Sequence, residues 1–335
     1  MGPWDGKPTN IPNFPAKIDD EKRLWDWESW VRAATMDMEL ISGVRFETNQ
    51  AKQSATVSQY IAGSNGFTLS PIVKITRADK TTFEKQLALV DAYADLRDDR
   101  SGEILTQIGP QHAFWSAITN IHPSRTPKTH ELLDMATRFA VIVEMRFKHA
   151  FAAPRPVEYA AQLQPMILTP GHGSYPSGHS TQAYVIARVL CELLGAVEPT
   201  PANAGSPETV LWTQLMRQAA RIAINRTVAG VHFPIDSAAG RLLGITLAEY
   251  FIRRCKPGAK PFKVRHFDGT NYGDPAGDFN PNADLNRIGN HLDDAGKAPA
   301  DDSIAAVSPM LSWLWERAER ECNGKARDLA TAPTP

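Results

Sequence analysis

Three separated clusters constrain this chain more than anything else in it: Lys148 through Arg155-Pro156, then Pro176-Ser177-Gly178-His179, then Arg226 followed by His232 and Asp236. Together they bring two arginines, a lysine, two histidines and a helix-starting Ser-Gly. A fold that gathers them makes a pocket for a tetrahedral oxyanion, because such an anion needs several fixed cationic donors and exposed backbone N–H groups to balance its charge. Two histidines then remain for chemistry.

Each cluster supplies a different part. Ser177 and Gly178 precede a helix expected to begin near His179, and a helix N-terminus presents unpaired N–H groups and a favourable dipole to an anion. Arg155 and Arg226 are planar, always-charged donors that grip two oxygens apiece, while Lys148 adds a compact charge from the end of the preceding helix. Asp236 lies four residues after His232, in reach of its imidazole for orientation and charge stabilisation.

The spacing Lys-x6-Arg-Pro (KHAFAAPRP), then PSGH, then Arg-x5-His-x3-Asp (RTVAGVHFPID) resembles the tripartite signature of one superfamily. That superfamily unites type 2 phosphatidic acid phosphatases, bacterial non-specific acid phosphatases and vanadium-dependent haloperoxidases. One departure is Asn225, where many members carry Ser; Asn still offers hydrogen bonds. The resemblance implies that His232 attacks phosphorus in a phosphatase or ligates vanadium in a haloperoxidase. It makes His179 the acid–base residue. Lys148, Arg155, Ser177, Gly178 and Arg226 would hold phosphate or vanadate, and one arrangement serves both because vanadate shares the trigonal-bipyramidal geometry of phosphoryl transfer.

His172 stands seven positions before His179, in PGHGSYPSGHSTQ, where vanadium bromoperoxidases carry a second active-site histidine. That likeness makes a bromoperoxidase-like enzyme the leading expectation. Its cofactor would be vanadate, and its partners hydrogen peroxide, a halide and a small organic substrate, with a homodimer plausible. The alternative is an acid phosphatase that hydrolyses phosphate monoesters through a phosphohistidine at His232. A catalytically silent anion-binding protein is a third reading, against which stands the completeness of the motif.

Composition excludes other classes. A formal net charge of −1 over 335 residues gives no basic excess to suggest nucleic acid. Cys191, Cys255 and Cys322 are far apart and form no metal pattern, so they read as reduced structural thiols. Charges such as Arg138 and Glu144 break every long apolar run, so no membrane span is expected. The amino terminus shows no signal-peptide pattern, which predicts a soluble, cytoplasmic protein.

Helical periodicity predicts an all-α chain: a single helical domain with an arm over 1–20, a catalytic bundle over 80–256, and a polar loop plus terminal helix over 257–335. The stretch from about Thr48 to Lys80 mixes Ser, Thr, Gly and β-branched residues, and its pattern decides nothing. The Asp- and Asn-rich run after Pro257 lacks the ligand order of a calcium loop. His112, His122, His130, His149, His266 and His291 show no metal-ligand spacing. Phe114 and Trp115 read as core or substrate approach.

Overall fold

The fold was read from a computed structural model, which describes residues 17–64, 66–109, 111–272, 277–283, 285 and 307–323. Most of the expected arm, much of the polar stretch after Pro257, and His291 lie outside the described residues.

Helical sequences fold where their caps direct them. A 3-10 turn, Glu21–Asp26, precedes α1 (Ser29–Ile41). The bundle consists of α2 (Lys80–Tyr93), α3 (Arg97–Thr106), α4 (His112–Ser116), α5 (Pro127–Phe151), α6 (Pro156–Tyr159), α7 (Gly178–Leu193), α8 (Pro207–Val228) and α9 (Pro234–Cys255). α10 (Pro309–Cys322) packs back on α5 and α9. Proline occupies the first turn of α5, α6, α8, α9 and α10, where its missing N–H costs nothing. Ser177, Ser206 and Ser308 cap α7, α8 and α10 through their hydroxyls.

The all-α expectation is corrected by a four-stranded mixed sheet. Its strands are β1 (Val44–Asn49), β2 (Ser54–Gly63), β3 (Gly66–Thr76) and β4 (Arg265–Asp268), in the order β1-β2-β3-β4. The first three form an antiparallel meander, and β4 adds parallel to β3. Two features hid it. The register shifts between Val57 and Ser58, and the adjacent Ile72 and Val73 are both fully buried; neither fits the alternation that marks a strand in sequence. β4 is only four residues long and lies in the stretch read as polar loop. Its Arg265 forks onto both carboxylate oxygens of Glu249 on α9, at 2.8 and 2.9 Å. The sheet also touches the bundle through Phe46 against Phe147, with ring centroids 5.1 Å apart, and through Tyr175, whose hydroxyl donates to the Thr76 carbonyl.

α9 is the central element: nearly every residue from Pro234 to Ile252 is buried. It crosses α7 on two glycines. A Cβ at Gly240 would lie 2.6 Å from the Ser177 carbonyl and 2.8 Å from Ser180 Cβ, and one at Gly244 would lie 3.0 Å from Tyr184 Cβ. Because the first contact is with backbone at the start of α7, even one methyl must move that helix end. Gly240→Ala is therefore expected to destabilise the protein by about 1–3 kcal/mol and to weaken anion binding as well. Thermal melting and calorimetric titration with phosphate check both; an unchanged melting temperature would show that the crossing tolerates the methyl.

Candidate active site

The C-terminus of α5 brings the first cation. The helix stops at Ala152, which adopts φ 45° and donates its N–H to the Lys148 carbonyl. The Lys148 ammonium is 1% exposed and donates to the carbonyls of Gly173, at 3.1 Å, and Ser174, at 2.9 Å. An ammonium has three donors, so one N–H remains. Burial lowers its pKa to about 8; Arg155 acts in the same sense, and Glu144 and Asp236 oppose.

Arg155, the N-cap of α6, is 2% exposed. Its guanidinium donates to the Val231 carbonyl at 2.7 Å and to the His172 carbonyl at 3.2 Å, and its Nη1 stands 3.3 Å from His232 Nε2. His172 itself is exposed at the rim, and its Nδ1 accepts from Arg155 at 3.2 Å. Partial burial, with Lys148 and Arg155 nearby, keeps its ring below the ordinary histidine pKa.

The start of α7 forms the next wall. Ser177 accepts from the Ser180 N–H, leaving its own O–H as a donor. Its backbone N–H donates to the Asp236 carbonyl. Gly178 and His179 open the helix, so their N–H groups have no intrahelical acceptor. His179 Nε2 lies 2.9 Å from the Gln107 carbonyl, which places the ring proton on Nε2 and leaves Nδ1 as the acid–base nitrogen. Burial, followed by the field of Arg226, depresses its pKa to about 4.

Arg226 comes from the last turn of α8. Its Nη2 donates to Gln107 Oε1 at 2.8 Å, yet its Nε and Nη1 are buried without any protein partner. Two unpaired guanidinium donors in a residue 1% exposed are costly unless something binds them. Burial lowers this guanidinium to about 10.

His232 stands just ahead of α9, and the first turn of that helix orients it. Asp236 Oδ2 accepts from His232 Nδ1 at 2.9 Å, from the Phe233 N–H at 3.0 Å and from the Ser174 hydroxyl. Burial pushes the Asp236 carboxyl up to about 6, against the pull of these bonds. Burial, with the Arg155 and Lys148 cations, drives the His232 pKa well below the ordinary value. His232 is therefore a neutral ring, its Nδ1–H held by Asp236 and its unprotonated Nε2 facing Arg155 Nη1 at 3.3 Å.

The nine residues singled out from sequence thus converge on one cradle. Four others were not foreseen. Gln107 joins His179 to Arg226 and accepts from Asn225 Nδ2 at 3.0 Å; no local signal marks a residue so distant in sequence. Ser174 reads as a loop residue until the fold sets it on Asp236. Glu144 precedes Lys148 by one helical turn, the one positional hint available, and Gln182 donates to it at 2.9 Å. Trp115 is core, with no exposure. Among the described residues no group of three or more metal-type ligands occurs.

Residues 132–256 match the family model of the PAP2 superfamily, and this segment carries a domain of that superfamily. No curated protein matches the chain. Among solved structures it is similar to a transmembrane PAP2 type phosphatidylglycerolphosphate phosphatase from Bacillus subtilis. That match has 19% identity and a TM-score of 0.39, and covers 51% of this chain and 84% of the other. The expected partners, hydrogen peroxide, a halide and a small organic substrate, are not shown by these comparisons. Among the described residues no helix is long and apolar enough to cross a membrane.

Two outcomes follow for anion binding. Arg226→Gln removes the unpaired donors and should weaken phosphate binding by about 30-fold or more, since a charge-assisted hydrogen bond contributes about 1.5–3 kcal/mol; calorimetric titration measures it, and unchanged affinity would place the anion elsewhere. Lys148 is cationic below its pKa of about 8 and loses its charge above it. Phosphate affinity should therefore fall as pH rises through 8, and Lys148→Met should lack that fall.

Proposed function

We propose that this PAP2 superfamily domain hydrolyses phosphate monoesters through a phosphohistidine intermediate on His232. The observation that carries this reading is a pair: the two buried, unpartnered N–H donors of Arg226, and the Nε2 of His232, kept unprotonated beside Arg155 by the grip of Asp236 on Nδ1.

The substrate's phosphoryl oxygens accept from Arg226, from the third N–H of Lys148, from the Ser177 hydroxyl and from the N–H groups that open α7. Arg155 stands beside the attacking nitrogen. These donors match a charge spread over three equatorial oxygens. The His232 Nε2 lone pair attacks phosphorus; the P–N bond forms as the P–O bond to the leaving group breaks. Asp236 stabilises the positive charge that develops on the ring. His179 Nδ1 delivers a proton to the departing alkoxide. Although its pKa in the free protein is about 4, the negative charge of a bound phosphate group offsets the cationic field responsible for part of that depression. A water, deprotonated by the same His179, then attacks phosphorus and releases phosphate, restoring His232.

Vanadate fits the same residues: the donors of Lys148, Arg155, Ser177, Gly178 and Arg226 would hold its oxygens beside His232 Nε2. Bound there, it would mimic the transition state of phosphoryl transfer and so inhibit hydrolysis. The leading expectation, a peroxidase, drew on His172. Its carbonyl accepts from Arg155 and its Nδ1 lies 3.2 Å from the same guanidinium, contacts that suit it to fixing Arg155.

The test pairs hydrolysis of a chromogenic phosphate monoester with bromination of a dione dye in the presence of vanadate, bromide and peroxide. Phosphate release inhibited by vanadate is expected, with His232→Ala reducing kcat by about a thousandfold or more and Asp236→Asn by about a hundredfold or more. Rapid acid-free quenching should trap phosphate on His232. Vanadate-dependent bromination without phosphate release would overturn the reading.

A further inference from the structure

The protein groups assigned so far to hold the anion's oxygens are donors or cations. Glu144 breaks that rule. Its carboxyl is 3% exposed and lies against the start of α7, with Oε1 2.7 Å and the carboxyl carbon 3.3 Å from where a Cβ at Gly178 would stand. Gln182, one turn into α7, donates to Oε1 at 2.9 Å, while Oε2 is buried without a partner. An acceptor so placed is unfavourable unless a proton meets it.

We infer that Glu144 is a specificity-determining residue of the cradle: its unpartnered Oε2 accepts the hydrogen of a protonated tetrahedral oxyanion, so that the site takes hydrogen phosphate and rejects fully ionised sulfate. The two anions share charge and shape near neutral pH and differ by one hydrogen. A carboxylate facing sulfate opposes lone pairs to lone pairs in a dry site, whereas facing hydrogen phosphate it forms a charge-assisted hydrogen bond. The absence of a side chain at Gly178 acquires a second reason, since any Cβ there would meet this carboxyl.

The charged group acting on the carboxyl is Lys148, one turn on along the same helix, and the neutral Gln182 of α7 donates to it. Lys148 provides the nearest compensating charge and favours the ionised form. Burial pushes the carboxyl up to about 7 all the same, so the ionised acceptor prevails only above neutrality. When Glu144 is protonated, the same oxygen becomes a donor and the discrimination against sulfate disappears.

The inference rests on the oxyanion cradle of the proposed phosphatase, but its test needs no turnover. Inorganic phosphate and sulfate are titrated calorimetrically into wild type and Glu144→Gln at pH 7.5 and pH 6. At pH 7.5 wild type should prefer phosphate by at least about tenfold, the scale of one charged hydrogen bond made against one forbidden. The preference should shrink at pH 6. In Glu144→Gln, whose amide can donate to either anion, it should collapse to within about threefold at both values. The titration of Lys148 and His179 acts on both anions alike, and because phosphate itself gains a proton between the two values, the wild-type ratio is read against the Glu144→Gln ratio at the same pH. Equal affinity for the two anions in wild type at pH 7.5 would overturn the role of Glu144 while leaving the phosphatase reading intact, and that measurement does not depend on the variant folding. Failure of both anions to bind would overturn the cradle itself and this inference with it.

Discussion

Three cations buried around one small space is the constraint on which the rest of the structure depends. Lys148, Arg155 and Arg226 are each 2% exposed or less, and like charges so desolvated repel one another strongly. Backbone carbonyls of Gly173, Ser174, Val231 and His172 absorb many of the N–H donors, and Asp236 adds one buried negative charge. What remains unbalanced is a set of donors aimed at a ligand. The loop over residues 172–174 is the shared acceptor for Lys148 and Arg155, so the first and second clusters of the sequence are locked to each other before any anion arrives.

Asp236 links the third cluster to the second. Its side chain holds His232 and Ser174, and its backbone carbonyl accepts from the Ser177 N–H. One residue therefore sets the tautomer of the nucleophilic ring and the position of the α7 N-terminus. The glycine crossing of α9 over α7 maintains this distance, since the Ser177 carbonyl lies where a Cβ of Gly240 would be. Gln107 performs the corresponding task on the far side, where its carbonyl and its side chain hold His179 and Arg226. Asn225, the one departure from the usual motif, bonds that same side chain and accepts from Arg100, so the substitution is absorbed into the support of the cradle.

The geometry also separates histidines that look alike in sequence. His232 is buried, with one nitrogen held by a carboxylate; His179 is held by a carbonyl and faces the cationic field; His172 lies at the rim and fixes Arg155. In the proposed hydrolysis these different environments suit them to different work: lone-pair attack, proton transfer and positioning.

The sequence by itself determined the oxyanion cradle and the helices that carry it, because both are written locally: cation and histidine spacing within each cluster, helical periodicity, prolines at first turns and serine caps. It left the sheet hidden, since a register shift and residues buried on consecutive positions erase the alternation by which a strand is recognised, and since β4 finds its partner only across the fold. Gln107, Ser174 and Glu144 were equally beyond reach. A glutamine, a serine or a glutamate has no distinctive chemistry until neighbours from other helices supply its bonds and remove its water. Which donors stay unpaired, which ring nitrogen stays unprotonated and which carboxyl oxygen is buried without a partner were settled by tertiary structure, because each of those depends on groups brought together through space rather than along the chain.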